Sequence, residues 1–154
     1  MSTKFSTAIV FLSVDLLISC TEVVNGLSDN PPAFIKDVHT VRQGPDSFAI
    51  YFSLRDDKMV DTISDGKVTI KIIQTPYLSY KGTLTVLFNQ THQVQKTDFN
   101  ESTLGVMQYC FGPISNSQFA ELNPNGANYA VVNIYFTTPA GKVLSAQCDL
   151  PIPL

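Results

Sequence analysis

Two histidines and two acidic clusters are the side chains whose types could support metal binding or hydrolysis. His39 and His92 stand far apart, and neither belongs to a cluster with metal-ligand spacing. Asp56 with Asp57, and Asp61 with Asp65, could bind calcium weakly, but such residues more often form turns and face solvent. No G-x-S-x-G, P-loop, H-E-x-x-H or dinucleotide fingerprint occurs. The sequence therefore predicts a protein that is not an enzyme and holds no metal or cofactor.

The cysteines are Cys20, Cys110 and Cys148, and all three are disulfide candidates. No C-x-x-C spacing exists and no histidine is a persuasive partner for Cys110, so neither a redox motif, a structural zinc site nor a thiol nucleophile is indicated. Removal of a leader after Gly26 would leave Cys110 and Cys148 as an even pair. Removal after Ser19 would keep Cys20 and leave one thiol over. The sequence alone does not determine which cysteines form a disulfide.

The amino terminus has the pattern of a secretory leader. Lys4 precedes a mostly apolar stretch over residues 8–18, which is too short to span a membrane and suits a signal peptide. Asp15 interrupts the stretch. We predict a signal peptide over residues 1–26, ending at 19 or 26. The alternatives are a buried amino-terminal element, or a bacterial lipoprotein box with Cys20 as the lipidated residue.

Two N-x-S/T sequons also favour export. Asn89 and Asn100 begin the triplets N-Q-T and N-E-S, so both are predicted glycosylation sites. Together with the leader they favour a eukaryotic secretory route. We expect a glycoprotein that is secreted or resides in an endolysosomal or vacuolar lumen.

Composition indicates one folded domain over residues 27–154. Hydrophobic residues make up 44% of the chain and charged residues 15%, enough to build a sizeable core. The net charge of −3 and the absence of a basic run argue against nucleic-acid binding. We expect a monomer.

Alternation of apolar and polar residues dominates after residue 30 and predicts β-strands with one apolar face. Five runs are clear: residues 47–55, 67–74, 82–89, 129–137 and 143–154. Most of them are rich in β-branched or aromatic residues and are bounded by Gly, Pro, Asn or Asp. The inward candidates, which would line a core or a pocket, are Phe48, Ile50, Phe52, Leu54, Val68, Ile70, Ile72, Leu84, Val86, Phe88, Val132, Ile134, Phe136, Leu144, Ala146 and Leu150.

Weaker strand candidates lie at residues 33–41 and 106–111, and residues 116–122 suit either a short strand or a helical turn. Seven or eight short strands with one apolar face predict an all-β, immunoglobulin-like antiparallel sandwich. The pattern leaves open whether the two sheets enclose a filled core or a cavity.

Several features occur in the order found in a known family. A strand-like segment at 33–38 is followed by Gly44, an I-x-x-G pattern at 63–66, and C-F-G-P-I at 110–114. Residues 124–152 carry the strongest likeness, with a tyrosine-led strand, a glycine-containing hairpin and a cysteine strand. Over residues 33–152 the chain resembles the ML lipid-recognition domains, which include Niemann-Pick type C2-like sterol carriers and phosphatidylglycerol/phosphatidylinositol transfer proteins.

The resemblance implies a sandwich that holds one sterol or phospholipid between its sheets and carries it between membranes by transient contact. A docking role for the loop at 76–80 is a further hypothesis. The resemblance also implies a Cys20–Cys148 disulfide if Cys20 survives processing, with Cys110–Cys148 as the remaining option. The cysteine that the family places shortly before Cys110 is absent from residues 105–109. The alternative is a secreted adhesion or interaction domain with a filled core.

Overall fold

The computed structural model describes residues 26–76, 84–124 and 126–152. The predicted leader, Cys20 and residues 77–80 of the docking hypothesis lie outside these ranges. The described chain forms nine strands: β1 Phe34–Gly44, β2 Ser47–Arg55, β3 Asp61–Thr62, β4 Gly66–Pro76, β5 Thr85–Val94, β6 Phe99–Glu101, β7 Met107–Ser115, β8 Gly126–Thr137 and β9 Val143–Pro151. Two short 3-10 turns occur at Lys96–Asp98 and Asn116–Gln118, the second within a segment whose sequence suits either a strand or a turn.

The strands form two antiparallel sheets, which confirms the predicted sandwich. Sheet A has the order β1-β2-β7-β6 with β3 paired to β2, and sheet B has the order β5-β4-β8-β9. On one lateral side β1 of sheet A lies against β9 of sheet B. The other lateral side is therefore bounded by β5 of sheet B and by β6 and β7 of sheet A.

The core forms where the apolar faces of the two sheets meet. Alternation along β4 and β8 buries every second side chain, so Val68, Ile70 and Ile72 face Ile134 and its neighbours across one hydrogen-bonded ladder. Burying each large apolar side chain contributes roughly 1.5–3 kcal/mol. The central cluster comprises Ile35, Phe48, Ile50, Phe52, Leu54, Val68, Ile70, Ile72, Leu87, Phe88, Val94, Phe99, Tyr109, Phe111, Ile114, Ala130, Val132, Ile134, Phe136, Leu144, Leu150 and Ile152.

A β-bulge in β5 reverses part of the predicted inward face. Ile72 pairs with Phe88, but the next residue, Ile73, pairs with Val86, so Leu87 is an extra residue on β5. Leu87 and Phe88 are both buried, with 2% and 4% of their surface exposed, whereas Val86 is 42% exposed and Leu84 59%. The inward placement predicted for Leu84 and Val86 is therefore wrong, because a bulge shifts the period-two phase by one residue.

A second bulge lies in β7, where C-F-G-P-I occurs. Phe48 pairs with Ile114 while Ile50 pairs with Phe111, so β7 has one residue more than β2 here. Gly112 takes φ +133°, and a Cβ on it would stand 3.1 Å from the Ala49 Cα. Only glycine meets both conditions without strain, because L side chains avoid this backbone region.

The Asp56 carboxylate ties the amino-terminal segment to the turn after β2. It accepts hydrogen bonds from Ser28 Oγ at 2.6 Å and Asn30 Nδ2 at 3.0 Å. It also accepts the backbone N–H groups of Lys58 and Val60, each at 2.9 Å. The side chain is 1% exposed, and the hydrogen bonds from Asn30 and Ser28 hold the pKa of its carboxyl well below the ordinary value. A carboxylate that already accepts four protein donors has little capacity left for calcium.

We predict that Asp56→Asn lowers the melting temperature by several degrees at pH 7. Because the folded-state pKa lies below the unfolded one, the stabilisation is complete above the ordinary aspartate pKa of about 4 and is lost progressively as the pH falls from there to the folded-state pKa. The difference in melting temperature between wild type and variant should therefore shrink from pH 6 to pH 3. The exposed neighbour supplies the control, Asp57→Asn, which should match wild type throughout. An equal effect at pH 6 and pH 3 would contradict this account.

Truncations along β5 test the bulge. We expect Leu87→Ala to lower the free energy of unfolding by about 2–5 kcal/mol, since it creates a cavity in the core. Val86→Ala and Leu84→Ala should each change it by less than about 0.5 kcal/mol, because both side chains are exposed. Urea unfolding followed by circular dichroism measures all three. The reverse order would show that β5 keeps an unbroken alternation.

Candidate functional site

The space between the two sheets is the candidate ligand site that the sequence predicts. Thirteen of the sixteen residues predicted to face inward are buried in the central cluster, and Ala146 packs against it. Leu84 and Val86 do not take part, as the β5 bulge requires. The cluster gains Leu87 and Phe111, which the alternation did not assign to the inward face.

Aromatic rings from the two sheets touch in the middle of this space. Phe52 of sheet A and Phe136 of sheet B have ring centroids 6.4 Å apart in an edge-on arrangement. Phe88 of sheet B meets Phe111 of sheet A at 6.2 Å with an interplanar angle of 90°. Such edge-to-face pairs are favourable beyond their buried area. At these positions the interior is filled by side chains.

One side chain bridges the sheets from outside either ladder. Phe119 follows the 3-10 turn Asn116–Gln118, and its ring lies 6.1 Å from Phe48 of sheet A and 6.4 Å from Phe88 of sheet B. The next residue, Ala120, donates its backbone N–H to the Leu87 carbonyl at 2.8 Å. Phe119 therefore covers the rim of the sandwich next to β5. No period in the sequence marks it, because it lies in an irregular segment.

A buried amide fixes the segment that carries Phe119. The Gln74 side chain accepts the backbone N–H of Asn123 at 2.8 Å and donates to the carbonyls of Asn123 at 3.1 Å and Ala127 at 3.2 Å. Leu122, between Phe119 and this anchor, is an exposed large apolar residue, as is Leu84 before β5. The rim is therefore apolar both at its cover and at its margin.

A second concave feature, which we term the lysine cleft, lies at the opposite end of sheet B. It has a volume of about 840 Å³ and includes Lys67 at the start of β4, Gln93 at the end of β5, Lys96 in the first 3-10 turn and Thr137 at the end of β8. A smaller depression of about 340 Å³ adjoins it through shared residues, among them Asp65 and Lys96. Lys67 in the cleft and Ile72, which pairs with Phe88 beside Phe119, are five residues apart on β4, roughly 17 Å of strand.

The two described cysteines are free and do not pair. Cys110 lies on β7 between the buried Tyr109 and Phe111, so its side chain faces the outer side of sheet A. Cys148 lies on β9 of sheet B and packs against the central cluster. The Cys110–Cys148 disulfide considered from sequence is therefore wrong for this structure, because the two thiols lie on different sheets and different faces.

The outer side of sheet A surrounds Cys110 with polar and aromatic groups. A hydrogen bond with the Cys110 thiol is the main cause that raises the pKa of Tyr51 above its ordinary value. Gln43 Nε2 donates to the Tyr51 hydroxyl at 3.2 Å, and the His39 ring stacks on Tyr51 at 5.4 Å. His92 of sheet B stacks on Phe111 of sheet A, with ring centroids 4.2 Å apart. Within the described ranges no three His, Cys, Asp or Glu side chains converge to hold a metal ion.

Both sequon asparagines are exposed. Asn89 lies on β5 and Asn100 on β6. These strands bound the same lateral side of the sandwich, so glycans at both positions would flank one edge. Their exposure meets the accessibility that glycosylation requires.

Comparisons with known proteins place no constraint on function. No protein-family model, no curated protein and no solved structure matches the chain. In the described part of the chain, no helix has the length and hydropathy needed to cross a membrane.

Thiol labelling tests the placement of the cysteines. Burial raises the pKa of the Cys148 thiol, so its reactive thiolate is scarce near neutral pH. We expect maleimide to modify Cys148 more slowly than Cys110 in the native protein at pH 7.5, and the rate at Cys148 to rise steadily up to pH 9. Peptide mapping by mass spectrometry measures both rates, with urea-unfolded protein as the control for equal access. A peptide pair joined by Cys110 and Cys148 would contradict the structure.

Proposed function

We propose that this protein is a non-enzymatic lipid carrier that holds one sterol or phospholipid between its two sheets and moves it between membranes. The observation that supports it best is the contrast between the interior and its cover. The interior is lined from both sheets by apolar and aromatic side chains, while the rim beside β5 is covered by Phe119, which belongs to neither ladder. Pockets for small apolar ligands have such linings, with few polar groups.

A ligand would reach the interior by displacing the cover and the rings behind it. In the described parts of the chain, the one backbone hydrogen bond found between the Phe119 segment and β5 is Ala120–Leu87. Because this bond is not part of a strand ladder, moving the Phe119 ring outwards breaks no ladder hydrogen bond. Re-exposing one phenylalanine costs roughly 1.5–3 kcal/mol. Burial of a lipid chain returns about 0.8 kcal/mol per CH₂, so about four methylenes offset the exposure of Phe119, and each core ring displaced behind it requires a similar number. A sterol or acyl chain has more carbon atoms than Phe119 alone requires.

The resemblance to ML lipid-recognition domains points to the same function. It rests on residue patterns at 33–152, and the two-sheet sandwich is the architecture that it implies. The leader pattern and the exposed sequons at Asn89 and Asn100 suit a glycoprotein that is secreted or enters an endolysosomal or vacuolar lumen. Delivery would proceed by transient membrane contact at the apolar rim.

A second candidate is an immunoglobulin-like adhesion or interaction domain. The observation that favours it is the ring contact between Phe52 and Phe136, which fills the centre of the sandwich. A domain of this kind needs no cavity and would use an outer surface to bind its partner.

Lipid uptake separates the two candidates. We predict that delipidated protein takes up one fluorescent sterol or phospholipid per chain in a saturable manner. Phe119→Ala should speed both uptake and release severalfold, because it removes the cover of the rim while the lining stays in place. Tyr135→Ala, which alters the outer face of sheet B, should leave both rates unchanged. Stopped-flow fluorescence with membrane vesicles as donor and acceptor measures them. A folded protein that binds neither probe saturably would eliminate the carrier and favour the interaction domain.

A further inference from the structure

We propose that the lysine cleft is a second binding site, which takes the phosphate monoester group of a small organic molecule. The cleft lies at the other end of sheet B from the Phe119 rim, so the inference does not depend on the carrier function. Its volume of about 840 Å³ falls in the range of small-molecule sites, about 300–1,000 Å³.

Three donors stand in one row across the floor of the cleft. Lys67 on β4 pairs in register with Gln93 on β5 and with Thr137 on β8. The side chain of Lys67 faces outwards, because Val68 beside it is buried. Directly paired residues have Cβ atoms about 5 Å apart, so an amide, an ammonium and a hydroxyl group lie within reach of one oxyanion.

A second lysine, Lys96, lines the same cleft. Lys96 and Gln95 come from the segment that follows β5 and contribute another ammonium and another amide. Among the residues that the structure describes, neither Lys67 nor Lys96 forms an ion pair, because both salt bridges found there belong to Arg55. Two lysines thus stand in one concave site without an ion pair among the described residues, in a chain whose net charge is −3.

Two of the three acidic residues near the cleft accept hydrogen bonds from backbone N–H groups. Asp65 lines the cleft and accepts the backbone N–H of Lys96 at 2.9 Å. Asp98 accepts the backbone N–H of Gln95 at 2.8 Å, and Asp29 lies in the adjoining depression. Backbone hydrogen bonds hold the first two carboxylates in place. Among the described residues, neither carboxylate forms an ion pair with Lys67 or Lys96.

The cations continue beyond the cleft along the same face. Lys71 lies two outward positions further along β4, and Lys142 lies in the hairpin beside Gly141, which lines the cleft. Both are free of ion pairs within the described ranges. Three of the ten Lys and Arg residues, Lys67, Lys96 and Lys142, therefore stand on or beside this end of sheet B, and Lys71 stands at the middle of β4. Such an arrangement attracts an anion and raises its local concentration.

The chemistry of the lining selects the ligand class. Ammonium, amide and hydroxyl donors outnumber the one carboxylate, which suits a ligand rich in acceptor oxygens. Lysine binds phosphate as a point charge, and two lysines match a dianionic monoester. Pro139 adds apolar surface to the same cleft, where the organic part of the ligand would lie. Inorganic phosphate would use the donor row but leave most of the volume empty.

The proposal is tested by ¹⁵N-labelled full-length protein titrated with inorganic phosphate, glucose 1-phosphate and glucose. We expect saturable shifts at the amides of Lys67, Gln93 and Thr137 with both phosphates, stronger binding of glucose 1-phosphate, and no response to glucose. The Lys67→Gln/Lys96→Gln double variant should weaken binding at least tenfold. The Lys36→Gln/Lys58→Gln variant removes two exposed lysines elsewhere and should stay within twofold of wild type. Because the second phosphate pKa is about 6, affinity should rise from pH 5 to pH 7.

A competition experiment identifies whether the phosphate group belongs to a lipid or to a soluble ester. Vesicles containing a phosphatidic acid compete with glucose 1-phosphate if the cleft takes a lipid head group, and leave it bound if the cleft takes soluble esters. Vesicles of phosphatidylcholine alone are the control. The proposal is overturned if neither phosphate nor phosphatidic acid shifts the cleft amides, or if both double variants weaken binding equally. Failure of lipid uptake at the Phe119 rim would leave these titrations unaffected.

Discussion

The packing of two alternating apolar faces against each other is the interaction on which every other feature of this protein depends. Each strand directs one set of side chains inwards, and the entropy lost in ordering the chain is offset chiefly by burying those sets together. The ring contacts between Phe52 and Phe136 and between Phe88 and Phe111 join the sheets directly. Because this packing is non-directional, it determines which faces meet but leaves the rim and the ends of the sandwich free to differ.

The phase of each strand decides which residues take part. Where alternation is unbroken, as in β4 and β8, the sequence alone predicts the buried face, since period two follows from strand geometry. In β5 one extra residue, Leu87, reverses the phase, and Leu84 and Val86 face solvent as a result. A bulge arises from the way two strands pair. The alternation within one strand carries no information about that pairing. The alternation therefore predicts the sandwich but assigns Leu84 and Val86, at the start of β5, to the wrong face.

The lateral sides of the sandwich show a second limit of sequence reasoning. On one side β1 and β9 lie against each other. On the other side the gap is covered by Phe119, whose role depends on Phe48 and Phe88, both far away in the chain. The buried Gln74 amide that holds its segment is equally long-range. Residues 116–122 carry no clear period, so tertiary contacts determine their position.

The cysteines show a similar limit. Alternation directs the Cys110 side chain outwards and the Cys148 side chain inwards, and counting the cysteines does not reveal that the two lie on different faces.

The two ends of sheet B carry different side chains on the surfaces that do not take part in the core packing. At the β5 bulge, apolar residues that cannot fit inwards are exposed near an aromatic cover, which favours contact with lipid. At the start of β4, the outward positions carry lysine, glutamine and threonine instead, and their carboxylate neighbours are bound by backbone N–H groups. Both surfaces border the β4–β5 ladder at different positions along it, and they share no residue. A sandwich with a strong central packing can therefore carry an apolar surface at the rim and a lysine-bearing surface at the end of sheet B, and each can change by a few side chains.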